Sequence, residues 1–279
     1  MKQWRAVLAI TGLVSFAAID FARADEVIRF GGTGMGLKAM SILGGMFVKR
    51  EPGVSLRVLP SLGSNGGIDA LADGAIEVAI AARPLTPLER QRGIHEASCM
   101  KTALVFISSH PQPEGLKRDH LPAIFDDPAP VWSDGLPLKI INRSQVSMEM
   151  ALLRREVPGM SEAMAKLATR RGIPVGTTDQ ENIALAESIA GSLTSASLLQ
   201  MMAERPKLHI LTLDGIPPSI ATIKDGSYPF TFGVCLLLPA APSPAAARFI
   251  AFTRSDEGRQ ALRLLGAIPS EVLHDTSGQ

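Results

Sequence analysis

The chain has 279 residues, 46% of them hydrophobic, with 28 lysines and arginines against 27 aspartates and glutamates. That balance implies neither nucleic acid nor a charged membrane surface as partner. No low-complexity linker, repeat or charge block divides the chain, so it reads as one large domain or two smaller interleaved ones.

Residues 1–24 have the three regions of a secretory signal peptide: Lys2 and Arg5 carry positive charge, the run Ala6 to Ala18 is apolar, and Ala22-Arg23-Ala24 offers the small residues a signal peptidase needs. The apolar run is too short to span a bilayer. Cleavage is expected after Ala24, and because Asp25 is not cysteine no lipid anchor is expected. Removing Lys2, Arg5, Arg23 and Asp20 leaves 25 basic and 26 acidic side chains. The compartment implied is the periplasm. Two cysteines, Cys99 and Cys235, then sit where a bridge can form, and two buried thiols fit the sequence as well.

From Val27 the chain alternates short β-branched runs with helical periodicity. Val27 to Phe30 reads as a strand, followed by a glycine turn and a helix with Leu37, Met40, Leu43 and Phe47 on one face. Val54 to Leu59 is a second strand. A turn at Ser61 to Gly67, a short helix with Ile68 and Leu71, and the strand Ile76 to Ala81 repeat the unit, which is the βαβ logic of a parallel sheet. After Pro84 and Pro87 comes a short helix, then Thr102 to Ile107, apolar enough to be buried on both faces and to cross between lobes. Helices are expected near Arg118 to Phe125 and Gln145 to Arg155, strands at Leu138 to Asn142, Leu208 to Leu213 and Phe230 to Leu238, and a helical tail over Ala245 to Leu265 broken at Ser255.

Four features carry chemistry. Gly31-Gly32-Thr33-Gly34-Met35-Gly36 hands a strand to a helix, so its N–H groups can face an anion; as a dinucleotide loop it has the wrong glycine spacing, and it also reads as a plain tight turn. Gly63-Ser64-Asn65-Gly66-Gly67 precedes the next helix, where Ser64 or Asn65 can cap it or face a ligand. Both loops would meet at the carboxyl edge of one sheet, where open α/β folds bind ligands. Arg83 and Arg143 each end a strand, suited to gripping an oxyanion or to forming a surface ion pair, and Ser147 follows four residues after Arg143.

Catalysis finds little support: no G-x-S-x-G, H-E-x-x-H or phosphate-binding P-loop is present, and His95, His110, His120, His209 and His274 are scattered. The chain is not expected to be an enzyme, nor to need a cofactor or metal.

The residues resemble the substrate-binding proteins of phosphate ABC transporters, within the type II periplasmic-binding-protein fold. The resemblance rests on Gly32-Thr33-Gly34, Gly63 to Gly67, Ala81-Ala82-Arg83-Pro84-Leu85, Ala123-Ile124-Phe125, Val131-Trp132, Leu213 to Ser219, Tyr228-Pro229-Phe230 and Phe249 to Phe252, and it spans nearly the whole mature chain. It implies two α/β lobes, each a mainly parallel sheet flanked by helices: residues 25–106 with 229–279, and residues 107–228, joined by two crossing segments. The lobes would close over one small oxyanion, phosphate or a related ion, for delivery to an ABC transporter permease, with the receptor a monomer. By position, Thr33, Gly34, Met35, Ser64, Asn65, Arg83, Arg143 and Ser147 would hold it. The family's loop often reads Ser-Asp-Ala-Pro-Leu, with an aspartate that accepts the proton of hydrogen phosphate; here that position is Ala82. Where the family has Ser-Gly-Thr, this chain has Ser147-Met148-Glu149, placing a carboxyl beside the anion site unless it points away or pairs with Arg83. An extracytoplasmic sensor or scaffold of the same fold, binding a protein partner or a different small ligand, is the alternative.

Overall fold

The computed structural model describes residues 26–144 and 147–270. The signal segment and His274 lie outside them, as do Gln145 and Val146, where one helix was expected to begin. The first unit is β1 (Glu26–Gly32), α1 (Gly34–Val48), β2 (Val54–Val58), α2 (Gly63–Ala72) and β3 (Val78–Ala81). Helix α1 buries Leu37, Met40, Leu43 and Phe47, the face its periodicity marks. Both pairings of β1, with β2 and with β3, are parallel.

Helix α3 (Pro87–Gln91) is opened by a capping box between Thr86 and Glu89 and leads into the fourteen-residue strand β4 (His95–Ser108). Beyond it come α4 (Leu121–Asp126), β5 (Lys139–Ile140), β6 (Asn142–Arg143), α5 (Met148–Glu156), α6 (Met160–Thr169), β7 (Val175–Gly176), α7 (Asp179–Ser188), β8 (Ser192–Ser197), α8 (Leu198–Glu204) and β9 (His209–Ile210). The chain ends with α9 (Ile220–Lys224), β10 (Thr231–Leu238), α10 (Pro244–Arg254), α11 (Asp256–Leu264) and β11 (Ala267–Ser270). Ser255 caps α11 through the Gly258 amide, which is why the helical tail breaks there.

Strand β4 is the spine. Its residues 95–103 pair antiparallel with β10 and its residues 104–107 with β8, while β11 and β9 join it at 99–102 and 107–108. The strands run in the order β2, β1, β3, β10, β4, β8, β5, with β6 and β7 forming a separate parallel pair. Strand β5 adds to β8 in parallel. Thr102 to Ile107, the apolar run expected to cross, spans the point where β4 passes from one set of partners to the other. Leu104, Val105 and Ile107 are fully buried, as a strand covered on both faces requires.

Cys99 and Cys235 face each other across β4 and β10 and are bonded. They lie in a small apolar cluster with Ile68, Ile76, Leu85 and Leu237, apart from the main core, in which Phe249 of α10 meets Phe30 and Phe47 edge-on. Among the described residues no helix is long and apolar enough to cross a membrane.

Candidate functional site

Helix α1 starts at the carboxyl end of β1 with Thr33 in the N-cap position, yet the Thr33 side chain does not cap its own helix. The first-turn amides are unpaired within any helix and carry its positive end, so they seek an acceptor. They find one 144 residues away: Asp179 Oδ2 accepts the Met35 amide at 2.9 Å and the Thr33 hydroxyl at 3.2 Å. Asp179 is itself the first residue of α7, behind the Thr178 cap that accepts from Glu181 N. Two helix N-termini therefore share one carboxylate. The next residue, Gln180, donates from its amide to Gly34 O at 2.9 Å. Gly34 admits this approach only because it has no side chain: a Cβ there would stand 2.3 Å from Gln180 Oε1 and 2.8 Å from Asp179 Oδ2.

Arg143 ends β6 and is 4% exposed. One terminal nitrogen donates to Gly176 O at 3.2 Å and Thr178 O at 3.0 Å, and the other to Asp179 Oδ1 at 2.5 Å. Each oxygen of Asp179 is thus claimed by a different element. The Glu149 carboxyl lies 3.7 Å from the same Arg143 nitrogen, is 1% exposed, and has no hydrogen-bond partner on either oxygen. Arg143 Nε is likewise buried without a partner. Burial pushes the Glu149 carboxyl above its ordinary pKa, the charge of Asp179 adds to the rise, and Arg143 opposes it. Glu149 does not pair with Arg83, which is held by Asn65 and Glu89; it lies beside Arg143 instead.

The second glycine segment corrects one expectation. Helix α2 starts at Gly63, so Gly63 to Gly67 form its first turn instead of a loop before it, and neither Ser64 nor Asn65 caps it; Leu62 holds that position. The physical reason is close packing against the first loop: Leu62 N donates to Gly32 O at 3.0 Å, and a Cβ on Gly67 would stand 2.5 Å from the Gly32 Cα. Ser64 Oγ accepts the Ala82 amide at 3.0 Å, which ties α2 to the end of β3. Arg83 donates to Asn65 Oδ1 at 2.8 Å and to both Glu89 oxygens at 2.6 and 2.9 Å. This contact holds the Glu89 carboxyl down to about 2.

These pieces surround a cavity of about 650 Å³, a size usual for small-ligand sites. Of the residues singled out in the sequence, Thr33, Met35, Ser64, Asn65, Arg83, Arg143 and Ser147 line it, whereas Gly34 lies under Asp179 and Gln180. Ser147 also caps α5, accepting from Met150 N at 3.3 Å. The chemistry offered is anion binding: a hydroxyl, a backbone amide at a helix N-terminus and a buried guanidinium converge on one pair of oxygens. Asp179 escaped sequence reasoning because Thr177-Thr178-Asp179 reads as an ordinary helix start. Among the described residues no cluster of His, Cys, Asp or Glu is placed to hold a metal ion.

Comparison with known proteins places the fold. The profile of the PBP superfamily domain matches residues 21–257, most of the chain. The chain belongs to the PBP superfamily. No curated protein sequence matches it. Among solved structures, a Clostridium perfringens substrate-binding protein assigned to a phosphate ABC transporter, with bound phosphate, superposes with a TM-score of 0.72 at 16% identity, covering 88% of this chain and 100% of that one. The periplasmic molybdate-binding protein of Azotobacter vinelandii gives 0.60 at 13% identity, covering 88% and 100%. An ABC-type phosphate transport receptor from Vibrio cholerae gives 0.57 at 17%, covering 87% and 99%. Likeness at such identities establishes the α/β type II fold of this PBP chain and nothing finer.

Proposed function

We propose that this PBP-superfamily chain is an extracytoplasmic solute-binding protein that captures a small oxyanion, phosphate or a relative of it, and presents it to an ABC transporter permease. One observation supports the reading above the others: Thr33 Oγ1, Met35 N and an Arg143 terminal nitrogen converge within 3.2 Å on the two oxygens of a single carboxylate, so the site is furnished for an anion. Solved structures of similar fold are described as phosphate- and molybdate-binding proteins.

In this reading residues 25–106 and 229–279 form one lobe and residues 107–228 the other. The glycine-rich turns then belong to the first and Arg143, Ser147 and Asp179 to the second. The signal peptide is cut after Ala24, the mature protein works in the periplasm as a monomer, and its role is binding without catalysis. Micromolar capture needs about 8 kcal/mol, and charge-assisted hydrogen bonds contribute roughly 1.5–3 kcal/mol each, so a handful of bonds suffices once desolvation is offset.

Calorimetric titration of the mature protein with phosphate, sulfate, molybdate and small carboxylates tests this, with micromolar heat from at least one oxyanion as the expected result. Silence across the panel would sink it. A second reading, an extracytoplasmic sensor or scaffold that binds a protein partner, draws on the same site: Asp179 already occupies the seat, so closure of the two halves asks for no solute.

A further inference from the structure

We propose that Asp179 is a built-in ligand, which seals the anion seat in the solute-free protein and which an incoming oxyanion must displace. This rests on the oxyanion-binding reading and adds how that site is regulated.

The geometry has three parts. The carboxylate spends both oxygens on donors from the other end of the chain and from β6: Met35 N and Thr33 Oγ1 on one, Arg143 on the other. It also neutralises the Arg143 charge, so an added anion meets no uncompensated cation at that nitrogen. And the contact leaves no spare room, since Gly34 sits directly against Asp179 and Gln180. A second observation points the same way. Arg143 Nε and both Glu149 oxygens are buried with no partner, and Arg143 and Glu149 line the cavity. A core that had settled its polar groups would not leave a guanidinium N–H and a carboxyl unmet within one cluster. The Arg143 Nε–H, a donor without an acceptor, is free to meet an oxygen of a tetrahedral or planar oxyanion once Asp179 swings away.

The thermodynamic consequence is competition. A tethered carboxylate acts at high effective concentration. If the seat is open no more than about a tenth of the time, the apparent Kd of a free oxyanion is weakened at least about tenfold relative to the empty seat. The solutes that can enter are those with two or more oxygens sharing negative charge in the span of a carboxylate.

The test compares the wild-type mature protein with D179A and D179N, titrated calorimetrically with inorganic phosphate and with sodium formate, and followed by thermal unfolding in the same solutions. Expected is that D179A binds phosphate or formate at least about tenfold more tightly than wild type, and that its unfolding temperature, lowered by loss of the inter-element contact, recovers in millimolar formate. D179N keeps the side-chain size and an oxygen for the Met35 amide but leaves the Arg143 charge unbalanced, so it too should gain phosphate affinity, and it serves if D179A does not fold. Equal phosphate binding by all three proteins, or binding by wild type that both variants lose, overturns the built-in ligand while leaving oxyanion capture standing. Silence of all three proteins toward phosphate and formate overturns the built-in ligand, and silence toward sulfate and molybdate as well takes the oxyanion reading with it.

Discussion

Asp179 Oδ2 lies 2.9 Å from the Met35 amide, so the start of α7 closes the start of α1 across a sequence separation of 144 residues. Each helix brings the positive end of its backbone to the same carboxylate, an arrangement that stabilises the charge at both termini. The contact binds distant parts of the chain to each other at the mouth of the cavity, so on the proposed function stability and ligand capture depend on the same atoms.

Replacing Arg143 by alanine should therefore affect more than binding. Its guanidinium holds Gly176 O, Thr178 O and Asp179, and its loss leaves a buried carboxylate uncompensated. Breaking one side of a buried pair costs about 3–5 kcal/mol. Urea unfolding of R143A is expected to show a loss of that order together with loss of anion binding. A variant with wild-type stability and no binding would confine Arg143 to the ligand.

Glu149 makes stability depend on pH. Its carboxyl titrates higher in the folded protein than in the unfolded chain, so between the two values the folded form holds the extra proton. Stability from this group is then fully present below the unfolded value near 4.5 and is lost as pH rises through the folded one. E149Q removes the titration: the variant should gain on wild type progressively in denaturant midpoints as pH rises above about 4.5. A constant difference at every pH would show that Glu149 is not the group responsible.

Gly34→Ala should separate α1 from α7. The added methyl falls within 2.3 Å of Gln180 Oε1 and 2.8 Å of Asp179 Oδ2, forcing both away from the N-terminus of α1. Overpacking of this kind costs about 1–3 kcal/mol. Thermal unfolding should register the loss, and amide exchange at Met35 should quicken because its acceptor has moved. Unchanged exchange would mean that the contact survives the methyl.

The disulfide should contribute a large part of the stability. Cys99 and Cys235 close a loop across 136 positions, for which chain entropy gives about 5 kcal/mol as an upper figure. Both residues are buried, so failure to label the native protein is not diagnostic; the decisive measurement is thiol titration in denaturant without reductant, where none is expected. Reduction or C99A/C235A substitution should lower the unfolding temperature by many degrees.

Much of the frame was legible in the sequence. The βαβ start, the apolar crossing run in β4, the strand over Thr231 to Leu238 and the break at Ser255 all follow from periodicity and caps. Strand β8 was not legible: Ser192-Leu193-Thr194-Ser195-Ala196-Ser197 reads as polar, yet it is buried throughout, with Thr194 donating to Ile141 O and Asn182 Oδ1, Ser192 to Ala186 O, and Ser197 accepting the Gln200 amide, while the Ser195 hydroxyl alone of the four is left without a partner. The site was legible in its donors and not in its acceptor. Glycine turns and strand-end arginines mark candidate anion donors locally, whereas Asp179 becomes relevant only through tertiary contacts that no local pattern records.

Strand β4 bears on how the chain reaches its folded state. It is complete by Ser108, yet its partners β8, β10 and β11 begin at Ser192, Thr231 and Ala267. Until residue 192 has emerged this strand has no partner at all, and its pairings with β10 and β11 wait for residues 231 and 267; such distant pairings form slowly. In the export reading proposed above, late pairing keeps the chain competent for passage and defers assembly to the far side, where Cys99 and Cys235 can also be oxidised.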